Sequence, residues 1–243
     1  MNITGHNALI TGGATRVGRA LTLALAGAGA NVFVHYNSSA GPAEETAADV
    51  EALGVGVAVG SANLSDPAAT SGLIADASAA LGPISILINS ASGFPKDSLA
   101  DATLDGFRAA IDLTLTSPIL LTQAFAAALP ADMEGAVVNV TDVKTHRPYL
   151  DHFSYVVAKG GIDTFTRAAA RALAPRIRVN AVALGVILPP PGEDDFYAEK
   201  LASKIPMKRV GGTAPVAAAM VALVENDFIT GEIVRVDGGG HLE

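Results

Sequence analysis

Short apolar runs alternate along the whole chain with longer, alanine-rich segments of helical character, such as RVGRALTLALAGAG and PAEETAADVEALG. The runs are rich in Val and Ile and are apolar on both faces, which is typical of parallel strands covered by helices. Strand–helix alternation repeated this often predicts an α/β fold with a doubly wound parallel sheet. The predicted strands are NALIT (7–11), NVFVHY (31–36), VGVAV (55–59), ISILIN (84–89), AVVNVT (136–141), IRVNAVA (177–183) and EIVRVD (232–237).

The length of the chain and its half-apolar composition suit one domain over residues 1–243, because no linker or low-complexity tract marks a boundary. Only the segment from Pro189 to Gly212, with PPPGEDDF and then GG, breaks the alternation. A loop of that length in a compact domain is usually a lid or a binding element. We therefore predict a substrate loop at about 186–212, in which GEDD (192–195) is a solvated stretch.

Charge and cysteine content exclude several classes of function. A net charge of −8 argues against nucleic acid as a partner, since phosphates require a basic surface. The absence of cysteine excludes disulfides and thiolate chemistry. The start of the chain has no signal-peptide pattern, and the apolar stretch Ala20 to Ala30 is shorter than the roughly 20 residues of a membrane span. We therefore expect a cytoplasmic protein with no membrane partner. We also expect no metal, because the histidines do not have the spacing of metal ligands. A position on the surface or in packing is expected for all of them: His6, His35, His146, His152 and His241.

The first predicted strand leads directly into the glycine-rich sequence TGGATRVG, Thr11 to Gly18. Gly12 permits a tight turn, and Gly18 lets the following helix pack closely on the strand. The free N–H groups of that helix then face a pyrophosphate. An ordinary βα turn is the alternative, but the strand–turn–helix context favours a dinucleotide site.

The end of the second predicted strand discriminates between the two nicotinamide dinucleotides. An NAD site places a carboxylate there for the ribose 2′-hydroxyl. This strand ends in HYNSSAG, with no acid before Glu44. Neutral donors and the nearby Arg16 suit a 2′-phosphate instead, so we predict NADPH as cofactor, with these donors: His35, Tyr36, Asn37 and Ser38.

Tyr155 and Lys159 share one helix face, because they are four residues apart. An ammonium beside a phenol favours the phenolate and lowers a pKa that starts near 10. The tyrosine can then exchange a proton near neutral pH. Spacing alone leaves open a chance pair on a solvated helix.

In their order, the motifs TGGATRVG, NSAS (89–92), YVVAK (155–159), RVNAVALG (178–185) and FITGEIVRVDGG (228–239) resemble the short-chain dehydrogenase/reductase family over nearly the whole chain. The resemblance implies a single-domain Rossmann fold with a seven-stranded sheet, hydride transfer from a nicotinamide, and a homotetramer or dimer, of which we predict the homotetramer. It makes Tyr155 the acid and gives Lys159 both ribose binding and activation of the phenol. The predicted cofactor site comprises Gly12, Thr15, Arg16, Val17, Gly18, His35, Tyr36, Asn37, Ser38, Asn63, Leu64, Asn89, Ala91, Lys159, Gly185 and Ile187.

Several residues depart from the common family pattern. Arg16 replaces the middle glycine of the loop, and Asp142, thirteen residues before Tyr155, occupies the position of the usual catalytic serine. Both departures resemble the pteridine reductases and dihydromonapterin reductases, as does NSASGF with its Ser92 and Phe94. Two further departures affect the proton relay and the nicotinamide loop: Thr114 for asparagine and Leu184 for proline.

We therefore predict an NADPH-dependent reductase whose catalytic residues are Asp142, Tyr155 and Lys159. The expected substrate is a small molecule, a flat pterin-like ring stacked between Phe94 and the nicotinamide. The predicted substrate site is Arg16, Ser92, Phe94, Asp142 and Tyr155. Two alternatives remain: a general carbonyl reductase, such as a 3-oxoacyl-carrier-protein reductase, and a non-catalytic nucleotide-binding regulator.

Overall fold

Seven parallel strands form one sheet at the centre of the protein, in a computed structural model that describes residues 1–189 and 200–242. The spatial order is β3-β2-β1-β4-β5-β6-β7, which confirms the predicted doubly wound Rossmann fold. Every predicted run contributes a strand, although the third and the fourth each begin two residues later than the pattern suggested. The strands are β1 (Asn7–Thr11), β2 (Asn31–Tyr36), β3 (Val57–Ser61), β4 (Ile86–Asn89), β5 (Gly135–Asp142), β6 (Ile177–Leu184) and β7 (Ile233–Val236).

Helices cover both faces of the sheet and bury a separate apolar core on each. Successive residues of β1 point to opposite faces, so that Ile10 packs in one core and Leu9 in the other. This two-sided burial explains why the strand runs are continuously apolar. The helices are α1 (Arg16–Gly27), α2 (Ala40–Glu51), α3 (Pro67–Leu81), α4 (Leu104–Ile111), α5 (Ser117–Ala128), α6 (Phe153–Leu173) and α7 (Thr213–Glu225), with a π-helical turn (Asp112–Thr116) between α4 and α5 and 3₁₀ turns at Val143–Thr145 and Gly240–Leu242.

The strand order reverses between β1 and β4, which are direct neighbours in the sheet. The register pairs Thr11 with Asn89, and Asn89 with Asn139 on β5. The carboxyl ends of these strands therefore lie side by side. In open parallel sheets ligands bind beyond the strand ends at this reversal.

The run Leu104–Ala128 is a 25-residue helix that is apolar and long enough to cross a membrane by length and composition alone. It is longer than the apolar stretch Ala20 to Ala30 that the sequence singled out. Its side chains Leu121 and Phe125 are fully buried in the core that α3 and α6 also line. Packing inside the domain thus accounts for part of the apolar character of this run, of whose most apolar window 39% is buried.

The predicted substrate loop is described only at its two ends. Residues 190–199, which include the GEDD stretch, lie outside the described residues. At the base of the loop the N–H of Gly211 donates to Val186 O and the N–H of Gly212 to Ile187 O, both at 2.9 Å. These bonds bring the two ends of the segment together between β6 and α7.

Phe125→Ala should lower the free energy of unfolding by about 3–5 kcal/mol, because truncation of a fully buried phenyl ring loses its transfer energy and leaves a cavity. Leu53→Ala is the control, since Leu53 is 49% exposed just after α2 and should change stability by less than about 1 kcal/mol. Denaturant unfolding followed by circular dichroism measures both. Equal effects in the two variants would contradict the assignment of Phe125 to the core.

Candidate active site

The loop between β1 and α1 requires glycine at two positions because of close backbone approaches. Gly12 has φ +63°, and a Cβ there would lie 3.1 Å from the Cα of Ala91 in the segment after β4. A Cβ on Gly18 would lie 2.0 Å from the carbonyl oxygen of Gly12. The first turn of α1 therefore packs directly on the loop, and its N-terminal N–H groups lie where the sequence predicted a phosphate cradle.

Arg16 adopts φ +50°, in the left-handed region that favours glycine. This conformation explains why the family usually has glycine here, and it costs an arginine about 1 kcal/mol. The guanidinium of Arg16 donates to Pro189 O at 2.9 Å, so it joins the loop to the segment that follows β6. An arginine has five N–H donors, which leaves this side chain able to bind an anion as well.

Thr11, which the sequence reasoning did not assign to the site, fixes the distance between the two loops. Its Oγ1 accepts hydrogen bonds from the N–H groups of Ser90 (3.0 Å) and Ala91 (3.1 Å). The segment after β4 is thereby held against the glycine-rich loop. Its position at the carboxyl end of β1 was the signal that could have identified it.

His35 does not fit its predicted role as a donor to a 2′-phosphate. The imidazole is buried, its Nδ1 accepts from the N–H of Gly12 at 3.1 Å, and its Nε2 lies 3.0 Å from Ala62 O. The ring is therefore neutral with the proton on Nε2, and both nitrogens are used inside the protein. Burial lowers the pKa of His35 below its usual 6.5 and so favours this neutral form. The correction is that His35 supports the glycine-rich loop from beneath.

The other predicted cofactor residues line the same edge of the sheet, with side chains of differing accessibility. Asn37 and Ser38 are exposed after β2, beside the partly buried Tyr36, and Thr15 is exposed at the start of α1. The side chain of Leu64 packs in the core, so only its backbone can face a ligand. The remaining positions are the exposed Asn63, the partly buried Val17 and Ala91, Gly185, where a Cβ would meet Asp237, and the buried Ile187.

Asn89 carries a buried acceptor without a partner. Its Nδ2 donates to Asn139 Oδ1 at 2.8 Å, whereas its Oδ1 is the one buried side-chain polar atom in the described residues that has no hydrogen bond. Buried polar atoms nearly always have a hydrogen-bond partner, so this oxygen is able to accept from a donor such as a hydroxyl group of a ligand. The unpaired acceptor, the glycine cradle and the carboxylate-free end of β2 together fit a phosphorylated dinucleotide.

Asp142, Tyr155 and Lys159 converge at the carboxyl end of β5, and all three are buried. The phenol of Tyr155 donates to Asp142 Oδ2 at 2.9 Å. The other carboxylate oxygen, Oδ1, accepts from the N–H of Lys144 at 2.8 Å. The ammonium of Lys159 donates to Val140 O at 2.7 Å and lies 5.7 Å from the centre of the Tyr155 ring. The aspartate therefore contacts the phenol directly.

Burial changes the proton affinities of all three groups. It raises the pKa of Tyr155 well above 10, and the adjacent Asp142 carboxylate raises it further. The predicted activation of the phenol by Lys159 is thus wrong in this arrangement, because burial and the carboxylate outweigh the more distant ammonium. Burial also raises the pKa of Asp142 and lowers that of Lys159 to about 8. Near neutral pH the tyrosine holds its proton and directs it at the aspartate.

Two residues outside the prediction support Lys159. Thr141 donates from Oγ1 to Asp163 Oδ1 at 2.6 Å, and both side chains are buried. The negative charge of Asp163 raises the pKa of Lys159 and so opposes the effect of burial. Asp163 lies one helical turn after Lys159 on α6, a spacing that could have revealed it.

Phe94 lies beside Tyr155, the predicted acid, although the two residues belong to different segments of the chain. Its ring meets Tyr155 edge to face at 4.8 Å and stacks on His152 at 3.6 Å, with 53% of the residue exposed. Tyr149 contacts it edge to face at 5.6 Å. The ring of Phe94, on which a flat substrate was predicted to stack, therefore lies next to the predicted proton donor Tyr155. The other predicted substrate residue of this loop, Ser92, is exposed and donates to the neighbouring Gly93 O.

Thr114, at the position of the usual relay asparagine, is buried within the π-helical turn. Such turns are frequent at functional sites. A Cβ on Gly161 would lie 2.6 Å from Leu115, so α6 approaches this turn closely. Among residues 1–189 and 200–242, no group of three His, Cys, Asp or Glu side chains could hold a metal ion.

Comparison with known proteins gives two kinds of relative. A family model described as enoyl-(acyl carrier protein) reductase matches residues 12–241. The 3-oxoacyl-[acyl-carrier-protein] reductase of Synechocystis sp. is 33% identical over 242 residues, which cover 98% of this chain and 97% of that protein.

Two solved structures have the same fold over nearly the full length. The FolM alternative dihydrofolate reductase 1 of Brucella canis, complexed with NADP, superposes with a TM-score of 0.95, is 34% identical, and is matched over 100% of this chain and 96% of that one. The FolM protein of Brucella suis, also in complex with NADP, gives a TM-score of 0.91 at 34% identity over 98% and 96% of the two chains.

We expect the stability of the protein to fall on its acid side through His35. The folded protein holds this imidazole neutral with a lowered pKa, whereas the unfolded chain binds a proton near pH 6.5. The contribution of His35 is therefore complete above about pH 6.5 and is lost as the pH falls toward the folded-state pKa. In His35→Gln the loss of unfolding free energy between about pH 7.5 and about pH 5.5 should be smaller than in the wild type.

The exposed His146 provides the control for this measurement. His146→Gln should retain the pH dependence of the wild type, as measured by thermal unfolding at each pH. Identical acid-side slopes for His35→Gln and the wild type would show that His35 does not titrate in this way.

Proposed function

The chain belongs to the short-chain dehydrogenase/reductase family, and on that premise we propose that it is an NADPH-dependent reductase of a pterin-like ring. The observation that carries the proposal is the hydrogen bond from the Tyr155 phenol to the Asp142 carboxylate, next to the half-exposed ring of Phe94. Ring N–H groups donate to a carboxylate, and a flat heterocycle stacks on an aromatic face. The site presents both features within reach of one proton donor.

The residues of this chain divide the chemistry among them. When bound, NADPH supplies the hydride. Tyr155 holds its proton at neutral pH because its pKa is raised, and Asp142 accepts the hydrogen bond along which that proton can be shared. The raised pKa of Asp142 makes the carboxylate a better proton acceptor than an exposed one. We propose that this pair delivers a proton to a ring nitrogen as the adjacent carbon is reduced.

Lys159 has a holding role in this proposal. Of the three N–H donors of an ammonium, the described structure uses one on Val140 O. The other two are available to the hydroxyl groups of a ribose. The charge of Asp163 counteracts the loss of proton affinity on burial and so keeps the donor form available.

The comparison with the Brucella canis protein supports the pterin-like substrate, since that structure is called an alternative dihydrofolate reductase and contains NADP. The relative from Synechocystis favours the second candidate, reduction of a 3-oxoacyl thioester. A carboxylate next to the polarised carbonyl would, however, disfavour the oxyanion that forms in that reaction. The ordered contacts of Asp142, Tyr155 and Lys159 also favour an enzyme over a non-catalytic regulator. A homotetramer and a cytoplasmic location stay predictions.

NADPH should bind at least about tenfold more tightly than NADH, equivalent to about 1.4 kcal/mol. The end of β2 has no carboxylate that would repel a 2′-phosphate. The phosphate would instead meet the neutral donors Asn37 and Ser38 and the cationic Arg16 of the glycine-rich loop. Fluorescence titration of the two nucleotides measures the ratio. A preference for NADH, or equal affinities, would refute the cofactor assignment.

NADPH oxidation with biopterin, dihydromonapterin, dihydrofolate, acetoacetyl thioesters and simple ketones tests the substrate class. We expect turnover with at least one pterin and its loss by about 10²-fold in Tyr155→Phe, which removes the proton but keeps the ring. Asp142→Ser should depress pterin turnover much more than any ketone turnover, whereas Tyr155→Phe should depress both. Efficient reduction of thioesters with every pterin untouched would support the second candidate instead.

A further inference from the structure

We propose that His152 is a positioning residue for substrate, because its imidazole stacks on the ring of Phe94 and fixes the plane of that ring. The inference rests on the proposed function, in which Phe94 is the shelf for a flat heterocycle. His152 is not part of the predicted site, and a surface or packing role was all that its sequence context predicted. The structure shows a more specific set of contacts.

The two rings are stacked nearly parallel. Their centroids are 3.6 Å apart and their planes differ by 20°. One face of Phe94 is therefore covered by the imidazole, and Tyr155 and Tyr149 meet the ring at steep angles. Since 53% of Phe94 is still exposed, the residue keeps surface that a ligand can reach. His152 itself is buried, so its ring is a fixed support.

The orientation of the imidazole is set by a hydrogen bond to the loop that carries Phe94. Nδ1 of His152 lies 2.7 Å from Pro95 O. A carbonyl oxygen can only accept, so Nδ1 carries the proton. The same side chain thus holds the backbone one residue after Phe94 and stacks on the phenyl ring. Phenylalanine or asparagine at this position would preserve one of these contacts and lose the other.

Asp97 anchors the backbone around this contact independently of the imidazole. Its carbonyl accepts from the N–H of Phe153 at 3.1 Å, and its Oδ1 accepts from the N–H of Ser154 at 3.1 Å. A carboxylate at the N-terminus of α6 is also favoured by the helix dipole. The loop therefore stays attached to α6 without the side chain of His152. The contribution of the His152 side chain is therefore to fix the plane of the Phe94 ring.

If the Phe94 ring is less well fixed, substrate affinity should fall, whereas the rate of the chemical step should change little. The reason is that Tyr155, Asp142 and Lys159 keep their own contacts. Loss of one aromatic stacking partner corresponds to about a two- to tenfold effect on affinity. His152→Ala should thus raise the pterin KM about two- to tenfold and change kcat by less than about twofold. A purely structural role would instead lower the amount of active enzyme, and so kcat, together with the melting temperature.

The test compares His152→Ala, His152→Phe and His152→Asn in the full chain with NADPH and the pterin that the wild type reduces best. His152→Phe keeps a flat ring and should restore KM to within about twofold of the wild type, whereas His152→Asn keeps a donor for Pro95 O and should resemble alanine. A second readout needs no substrate. The fluorine NMR signal of 4-fluorophenylalanine placed at position 94 should shift in the alanine and asparagine variants and return toward the wild-type position in the phenylalanine variant.

The inference is overturned if the alanine variant keeps the wild-type KM and fluorine signal, or if asparagine restores both. If the wild type reduces no pterin, the proposed function fails and the fluorine signal alone decides whether His152 positions Phe94. If His152→Ala does not fold, the phenylalanine and asparagine variants decide between the stack and the hydrogen bond.

Discussion

Hydrogen bonds between neighbouring strand ends, where the strand order reverses, hold the parts of the site in register. Thr11 at the end of β1 accepts from the N–H groups of Ser90 and Ala91 after β4. Asn89 at the end of β4 in turn donates to Asn139 on β5. The bonds of Thr11 lie beyond the last backbone pair of β1 and β4, and the bond between Asn89 and Asn139 joins two residues that are already paired in the sheet. The glycine-rich loop, the segment after β4 and the strand β5 are therefore held in one common frame.

Within that frame, burial determines the protonation of the catalytic groups. Asp142, Tyr155 and Lys159 lie in a low-dielectric region where each neutral form gains relative to the charged one. The phenol remains protonated and the carboxyl group gains proton affinity. The negative charges of Asp142 and Asp163 raise the pKa of Lys159 and so oppose the effect of burial on the ammonium. The site thus stores an available proton on a buried phenol, where an exposed tyrosine–lysine pair would favour the phenolate.

The sequence predicted the sheet, its order of elements and the identity of the central pair, because apolar period, glycine spacing and motif order are local properties. It could not predict which way a side chain turns or how deeply it is buried. His35 belongs to the correct strand end, yet it points beneath the loop. The pKa of Tyr155 moves opposite to the expectation, because burial raises it and the hydrogen-bonded carboxylate of Asp142 raises it further. Thr11 and His152 were missed because their roles depend on partners far away in sequence.

Asp142 and Phe94 favour the same kind of substrate. A carboxylate in place of serine adds a negative charge near the reacting atoms, which penalises any substrate that develops an oxyanion there. The same charge is favourable if the substrate brings N–H donors, and an aromatic heterocycle with such donors is flat. A flat ring needs an aromatic surface at a fixed angle to the proton donor, and Phe94 stands edge to face with Tyr155 at 4.8 Å. The carboxylate of Asp142 and the ring of Phe94, which both depart from the common pattern, therefore complement each other in binding a flat ring with N–H donors.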